Sequence, residues 1–374
     1  MRVNQYLSKH ANLFVLFSAI CAAAIIGTVN GDEEKQGKSK WDDKQAWKEK
    51  PSTKEFVVKK EFAVKQGGTL RLDADLGSVE VIPVSGARRV SVEVIRTIRE
   101  KYAKDATAIL RHHQVEITKV GNDAVVRSEL KPLKKEQVGL PEVGFDVSED
   151  VARAIKNAIR KRVHNIHFRV SIPSEFNIKL KTGGQKITCG DLVGQAHCNT
   201  SGGGIKLGKI AGRVHATTSG GSLKVASAGD SVELRTSGGS IQAGDIQGDA
   251  VVATSGGSIE LGEVRGRVSA KTSGGSIRIK DSGGAVEAIT SGGSIRAAIS
   301  KQPKGDSFLA TSGGKVDIAL AKGIALNVEH QGHGRLSSPF SKNGWKQAQV
   351  EKLNGGGPRL VTKGNVRIAY LNDK

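Results

Sequence analysis

The chain has 374 residues, enough for one elongated domain or two compact ones. Aromatic residues make up only 4% of it, which excludes a thick core built around large rings and suits a thin β core. The formal net charge of +20 at pH 7 predicts association with anionic partners and carries no information about the fold. The alternative is that this charge only keeps the protein soluble.

Residues 1–31 have the pattern of a secretory signal peptide, and cleavage is predicted after Gly31. Its features are a positive start, an apolar run and small residues before the cleavage point: Arg2 and Lys9, residues 13–26, and Val29 with Gly31. Removal of the segment takes away its two positive charges and lowers the formal charge from +20 to +18. The mature chain is therefore expected to be exported, in the periplasm or at the cell surface.

Two alternatives for this segment stay open. The apolar run is short for a membrane anchor, which needs roughly 20 residues, but an uncleaved anchor is the rival interpretation. Cys21 suggests a lipoprotein, although Ile20 stands where a small residue is required. Outside the cytoplasm, we expect anionic polysaccharide, cell-wall polymer or a membrane surface as partner, and no specific nucleic acid.

The next two regions differ in pattern. Residues 32–54 are charged and poor in apolar side chains, which predicts a flexible linker. Residues 55–180 show short alternating apolar runs separated by glycine turns, which predicts strands. Two helices are predicted within this strand-rich region, one over 100–115 and one that begins with Ser148 as its N-cap.

The second predicted helix holds the most concentrated positive charge of the chain. Its candidate contacts to a polyanion are Arg153, Lys156, Arg160, Lys161 and Arg162. A basic amphipathic helix favours a membrane surface or an acidic polymer. The alternative is a helix that simply packs on the preceding strands.

A six-residue motif recurs through the middle of the chain every 18 residues. Full copies of Thr-Ser-Gly-Gly-Ser-Ile or a close variant begin at Thr200, Thr218, Thr236, Thr254, Thr272 and Thr290, and degenerate copies begin at Thr182 and Thr311. A short fixed period is typical of stacked repeats. The predicted fold is therefore all-β, with a parallel β-solenoid (β-helix) of 18-residue coils over residues 181–316 and a C-terminal strand cap over 317–374.

Numbering each coil from its threonine, positions 6, 8, 15 and 17 are apolar, position 11 usually is, and all five are predicted to face the core. The glycines at positions 3 and 4 are expected to supply the positive φ that a corner needs. The threonine hydroxyl is expected to bond the backbone at that corner.

Two cysteines, Cys189 and Cys198, lie at inward positions of the first coil. In an oxidising compartment an even pair suggests one disulfide. Facing strands of a thick core would hold their Cα atoms too far apart for such a bond. A disulfide and two buried free thiols are both retained as predictions.

Metal and catalytic sites have weak support. His197 and His215 occupy position 16 of adjacent coils and should stack on one outer face, but no third ligand continues their row. Aspartates recur at position 10 only in some coils, as Asp191, Asp245 and Asp281, and the turns lack the aspartates of calcium-binding repeats. We predict no metal, no cofactor and no catalytic residue.

The order of these motifs resembles the bacterial putative-adhesin family of domains of unknown function. The resemblance covers about residues 55–372. It is carried by Thr-Gly-Gly at 182–184, the serial coils, Leu-Asn-Gly-Gly-Gly-Pro at 353–358, and Gly-Asn-Val-Arg-Ile at 364–368. It implies a β-solenoid on an exported protein and transfers no site residues.

The leading hypothesis is a non-enzymatic surface or envelope solenoid that adheres to an anionic polymer or to other envelope components through outer rows of Lys, Arg, Ser and Thr. The alternatives are a self-assembling filament, in which coils stack end to end, and a polysaccharide-active enzyme. The period predicts no oligomeric state. Short uniform coils leave little material for a catalytic groove.

Overall fold

The structure is a computed structural model that describes residues 53–130, 163–332, 334–339 and 350–371. The predicted signal peptide and almost all of the predicted linker lie outside these ranges. So does the predicted helix at 148–162 with Arg153, Lys156, Arg160, Lys161 and Arg162. The described part is an all-β protein, which confirms the predicted class. No helix within it is long and apolar enough to cross a membrane.

The N-terminal region consists of seven strands and one short helical segment. The strands are β1 (Thr53–Ala63), β2 (Thr69–Ala74), β3 (Ser78–Val84), β4 (Arg89–Arg99), β5 (His113–Val120), β6 (Asp123–Leu130) and β7 (Val163–Pro173). A 3-10 helix (Glu100–Asp105) runs into a short α-helix, α1 (Ala106–Arg111). The single long helix predicted over 100–115 is therefore wrong, because strand β5 already begins at His113 and pairs with β6.

Each 18-residue repeat contributes two strands, separated by corners. In chain order these are β8 (Asn177–Thr182), β9 (Ile187–Cys189), β10 (Ala196–Thr200), β11 (Ile205–Ile210), β12 (Val214–Thr218), β13 (Leu223–Ala228), β14 (Val232–Thr236), β15 (Ile241–Ile246), β16 (Ala250–Ala253), β17 (Ile259–Val264), β18 (Val268–Lys271), β19 (Ile277–Ser282), β20 (Val286–Thr290) and β21 (Ile295–Ile299). Every strand pairs in parallel with the equivalent strand of the next repeat. For example, Ile241 lies opposite Ile259, and Val232 lies opposite Ala250.

The repeats therefore form two rows of parallel strands. We call the two strands of one repeat, one from each row, a rung. The first row contains β8, β10, β12, β14, β16, β18 and β20, and the second contains β9, β11, β13, β15, β17, β19 and β21. Positions 6, 8, 11, 15 and 17 are buried in the six coils that begin at Thr182 to Thr272. The predicted inward positions are confirmed.

The stack begins before the first repeat. Strand β2 pairs in parallel with β8, and β6 pairs with β2 on its far side. In the second row, β3 pairs with β9 and β7 pairs with β3. Antiparallel strands then close this end: β5 lies on β6, and β4 with β1 lies on β7.

The stack also continues past the last repeat. Strand β22 (Ser307–Leu320) belongs to both rows, and β26 (Arg359–Tyr370) pairs with it in parallel, so that Val316 lies opposite Val366. The parallel register therefore continues beyond Val316, into the region predicted as a strand cap. Strands β23 (Leu326–Gln331) and β24 (Leu336–Ser337) follow on β26, and antiparallel β25 (Val350–Leu353) lies on β23.

The threonine at position 1 ties neighbouring rungs together. The Oγ1 hydroxyl of Thr236 donates to the carbonyl oxygen of Gly221 in the preceding repeat at 2.8 Å. The Oγ1 atom of Thr236 also accepts the backbone N–H of Gly239, in its own repeat, at 3.3 Å. Thr254 and Thr272 repeat the arrangement. The predicted role of this hydroxyl at the Gly-Gly corner is confirmed.

Replacing Thr236 with valine is expected to lower the free energy of unfolding by about 1–2 kcal/mol, because two backbone groups of a buried corner lose their partner. Replacing it with serine keeps the hydroxyl and removes one methyl group, so the loss should stay below about 1 kcal/mol. Denaturant titrations of the two variants compare these values. A loss for Thr236→Ser as large as that for Thr236→Val would show that the hydroxyl contributes no more than the methyl group at this corner.

The corner glycines are needed for a reason other than the predicted one. Positive φ occurs at Asn354, Gly355 and Gly356, in the turn between β25 and β26, but at none of the Gly-Gly corners of the repeats. At Gly239 a Cβ atom would overlap the carbonyl oxygen of Gly221 in the preceding rung. The repeat therefore requires glycine there because two backbones approach closely, and not because the chain turns left-handed.

Candidate functional site

The serines at position 5 stabilise the stack and are only partly available to a partner. The Oγ atom of Ser222 accepts the backbone N–H of Ser240 at 3.2 Å, and Ser240 serves Ser258 in the same way at 3.3 Å. Together with the threonine contacts, these bonds give the Ser and Thr rows a structural role. The Lys and Arg rows are left as the stronger candidates for a binding surface.

The position 10 aspartates also act within the stack. Asp191 Oδ1 accepts the N–H of Lys209 at 2.8 Å, and Asp245 Oδ1 accepts that of Glu263 at 3.0 Å. Each carboxylate thus satisfies a backbone donor of the next rung. Within the described residues, no group of three His, Cys, Asp or Glu side chains is arranged to hold a metal ion.

Cys189 and Cys198 are buried free thiols in this structure, and the choice between a disulfide and two thiols in the exported protein stays a prediction. Their strands, β9 and β10, belong to different rows and do not pair with each other. Burial raises the pKa of Cys189 to about 12 and raises the pKa of Cys198 as well. Both thiols therefore stay protonated and are poor nucleophiles at neutral pH.

A straight groove runs along the outside of the second row and encloses about 800 Å³. We call it the axial groove. Its floor is made of the small residues at position 9 and their equivalents in β22 and β26, which are Ala226, Gly244, Gly262, Ala298, Ala319 and Ala369. Lys280 occupies position 9 of its repeat and is the one long side chain among these floor residues. Its Nζ donates a hydrogen bond to Glu263 Oε1 at 2.8 Å.

One wall of the axial groove is the row of position 7 side chains. In rung order these are Lys224, Gln242, Glu260, Arg278, Arg296, Asp317 and Arg367. Seven rungs at a strand spacing of roughly 4.8 Å make the groove about 29 Å long.

The charges of this groove are unbalanced. With Lys280, five basic side chains line it against two acidic ones. Arg296 lies 3.6 Å from Asp317. By contrast, Lys224, Arg278 and Arg367 have neither an ion pair nor a hydrogen bond of their side chains to any described residue. Positive charge is thus available to a ligand along most of the groove.

A second, smaller cleft of about 330 Å³ lies on the first row, near its N-terminal end. We call it the histidine cleft. Four successive rungs place Arg71, Lys179, His197 and His215 side by side, since each is in register with the next. The two imidazole rings stack with their centroids 4.6 Å apart and their planes 9° from parallel, as the 18-residue spacing predicted.

Carboxylates neutralise only the two ends of this row. Arg71 Nε pairs with Asp123 Oδ2 at 3.1 Å, and His215 Nδ1 lies 3.2 Å from Glu233 Oε2. In the middle, Lys179 has no ion pair with a described residue. Arg213 adds another cation to the lining, and the lining contains no acidic residue.

This surrounding affects the protonation of His197. The pKa of His197 lies below its ordinary value, because partial desolvation disfavours the charged ring although the side chain is largely exposed. The neighbouring His215 and Lys179 act in the same direction by repelling a further positive charge. The cleft therefore holds an imidazole that is mostly neutral at pH 7 and that gains a proton readily when negative charge is brought near.

The sequence interpretation found the two histidines and missed the three cations around them. Lys179 was within reach of the pattern, because it precedes His197 by the same 18 residues that separate His197 from His215. Arg71 was not, because strand β2 joins the row from outside the repeats. Another histidine, His330, is buried and bonds Thr362 Oγ1 at 3.1 Å.

No protein-family model and no curated protein matches the chain. Among solved structures, a putative adhesin from Bacteroides fragilis is similar at 13% identity over 86% of this chain and 99% of that one, with a TM-score of 0.34. A putative adhesin from Parabacteroides distasonis has 13% identity over 84% and 97%, with a TM-score of 0.34. A putative lipid binding protein from the same species has 12% identity over 84% and 96%, with a TM-score of 0.33. With TM-scores this low, the fold assignment for this chain rests on its own strand pairing.

Proposed function

We propose that this chain is an exported, non-enzymatic parallel β-solenoid that holds an anionic polysaccharide or cell-wall polymer along the axial groove. The observation that carries the proposal is the groove itself, which has a floor of Gly and Ala and a wall with an excess of basic side chains over seven rungs. A groove about 29 Å long suits an extended chain better than a compact ligand or a flat membrane. The signal-peptide pattern of residues 1–31 supports export.

The solenoid description is supported by the constant register of the repeats. Each strand of a repeat is in parallel register with the residue 18 positions further on, in both rows. A ligand bound along such a stack meets the same backbone geometry at every rung. Affinity is then decided by the side chains that vary between repeats.

An enzymatic role is less well supported. The two carboxylates that line the groove, Glu260 and Asp317, are three rungs apart, which is about 14 Å along the stack. Paired carboxylates of glycoside hydrolases lie within about 10 Å of each other. The described residues therefore favour binding without cleavage.

A filament formed by end-to-end stacking is also disfavoured. Antiparallel strands cover both rows at one end of the described stack, β5 and β4, and the first row at the other end, β25. Parallel addition of a second copy needs an open rung at each end. An adhesion or scaffold role for single copies is the better proposal.

The test is binding of the full chain to polygalacturonate as a soluble anionic polysaccharide. We expect the double variant Arg278→Ser and Arg367→Ser to bind about tenfold more weakly, since each exposed charge contact contributes up to about 1 kcal/mol and about 1.4 kcal/mol is a factor of ten. Binding by the unchanged protein should weaken as salt is added.

The matched control is Arg265→Ser with Arg267→Ser. It removes the same number of positive charges, but neither residue lines the groove. If both double variants lose affinity equally, the charge acts as a diffuse field and the groove is not the site. Absence of any salt-sensitive binding would reject the proposal as a whole.

A further inference from the structure

We propose that the histidine cleft is a second binding site, for a tetrahedral oxyanion (a sulfate or phosphate group) held between Lys179, His197 and Arg213. This site is separate from the axial groove, because it lies on the first row of strands and shares no lining residue with the groove. The inference does not depend on the proposed function.

The first argument is the arrangement of charge. In-register pairing forces Arg71, Lys179, His197 and His215 to lie next to each other at the strand spacing, roughly 4.8 Å. Arg71 and Lys179, the two permanent cations of the row, repel each other at that distance, and only the two ends of the row have carboxylate partners. An anion seated at the middle of the row would supply the missing negative charge.

The second argument is the set of donors. Lys179, Arg213 and protonated His197 all donate hydrogen bonds, and Asn177 and Gln195 contribute amide groups to the same lining. Carboxylates, which would repel an oxyanion, are missing from the lining. A volume of about 330 Å³ accommodates a sulfate or phosphate group.

The third argument concerns protons. The groups that face His197 are Arg71, Lys179, Arg213 and His215, with Asp123 and Glu233 behind the two ends and Asp230 within electrostatic reach of Arg213. Two ion pairs lie further out on the same row of strands: Lys181 pairs with Asp73, and Arg235 pairs with Glu233. All the unpaired groups are cationic, so the charged form of His197 is disfavoured while the cleft is empty of anions. A bound dianion reverses this balance, and His197 takes up a proton when the anion binds.

Sulfate is the probe of choice because its charge does not change between pH 5.5 and 7.5. We expect calorimetric titration of the full chain at constant ionic strength to show sulfate binding that is about fivefold tighter at pH 5.5 than at pH 7.5, because the bound anion favours the protonated form of His197. Titrations in two buffers with different ionisation enthalpies should show net proton uptake.

Three variants test the assignment. Lys179→Gln should weaken sulfate binding about tenfold or more at both pH values, whereas His197→Gln should remove the pH dependence and the proton uptake. Lys206→Gln is the matched control, since it makes the same charge change in the other row and outside the cleft. Equal effects of Lys179→Gln and Lys206→Gln, or a pH-independent affinity of the unchanged protein, would overturn the inference.

A second ligand, dextran sulfate, distinguishes an oxyanion carried on a polymer from a free ion. If Lys179→Gln weakens binding of both inorganic sulfate and dextran sulfate, the cleft accepts a group carried on a polymer. If it weakens binding of inorganic sulfate alone, the site serves a free ion. Both results support the cleft, and neither depends on the groove variants at Arg278 and Arg367.

Discussion

Replacing Gly239 with alanine is expected to lower the free energy of unfolding by about 3 kcal/mol, while the same change at the adjacent Gly238 should cost less than about 1 kcal/mol. The two glycines are neighbours in the same corner and neither has a positive φ. A Cβ on Gly239 would overlap the carbonyl oxygen of Gly221 and lie 2.6 Å from the nitrogen of Ser222. A Cβ on Gly238 would lie 3.4 Å from the carbonyl oxygen of Gly220, which is an ordinary contact.

The physical reason for the large effect is that the obstacle is backbone. A clash with a flexible side chain is relieved by a rotation, whereas the carbonyl of Gly221 already accepts the Thr236 hydroxyl and is held in place. Relief of the clash requires two rungs to separate, which weakens the pairing of their strands. Guanidinium titrations followed by circular dichroism compare the two variants.

Because the two substitutions add the same methyl group and remove the same backbone freedom, their difference isolates the contact between rungs. Similar losses for Gly238→Ala and Gly239→Ala would mean that glycine is required for its conformation and not for the close approach of backbones.

The protein is expected to lose about 3 kcal/mol of stability as the pH falls from 6.5 to 4, through the single residue His113. Its side chain is buried, and Nε2 lies 2.6 Å from Ser128 Oγ. Burial lowers the pKa of His113 to about 4, and the positive charge of Arg96 contributes in the same direction, against a smaller opposing effect of Asp75.

The direction follows from proton binding. In the unfolded chain the imidazole has a pKa of about 6.5, so between pH 6.5 and 4 the unfolded state binds more protons than the folded state. Stability from this residue is therefore complete above pH 6.5 and declines as the pH falls, until the folded form is protonated too.

The measurement is the free energy of unfolding at pH 7, 5.5 and 4 for the unchanged protein and for His113→Gln. The variant retains a polar group for Ser128 and should lack most of this loss, whereas His112→Gln, one position away, should retain it. If the three proteins respond to pH in parallel, His113 is not the group responsible.

Much of the described fold was predictable from the 18-residue period. Alternation within the repeat placed Ile241, Ala243 and Ile246 in the core, and all three are buried. Equal spacing placed His197 beside His215, and their rings stack. Such predictions succeed because a repeated strand has one way to pair with its copy, so sequence spacing becomes spatial adjacency.

The candidate sites were less predictable, because their residues come together across different spacings. The axial groove includes Arg367, which lies there only because β26 pairs with β22. In that pairing Arg367 lies opposite Asp317, which is 50 residues earlier in the sequence. The histidine cleft needs Arg71 from β2, far upstream of the repeats. Neither pairing leaves a periodic signal in the sequence.

The sequence by itself determined the rung, with its apolar positions, its threonine at the corner and its outward charges, because these are set by alternation and by a local repeat. Tertiary structure alone decided how the stack begins and ends. It also decided that the corner glycines are required by the close approach of a neighbouring backbone. The same pairing decided which cations have no ionic partner among the described residues. The Thr-Ser-Gly-Gly-Ser-Ile motif is scaffold. The unpaired charges of Lys179 and Arg278 depend on which side chains the adjoining rungs place beside them, and that is settled only when the strands pair.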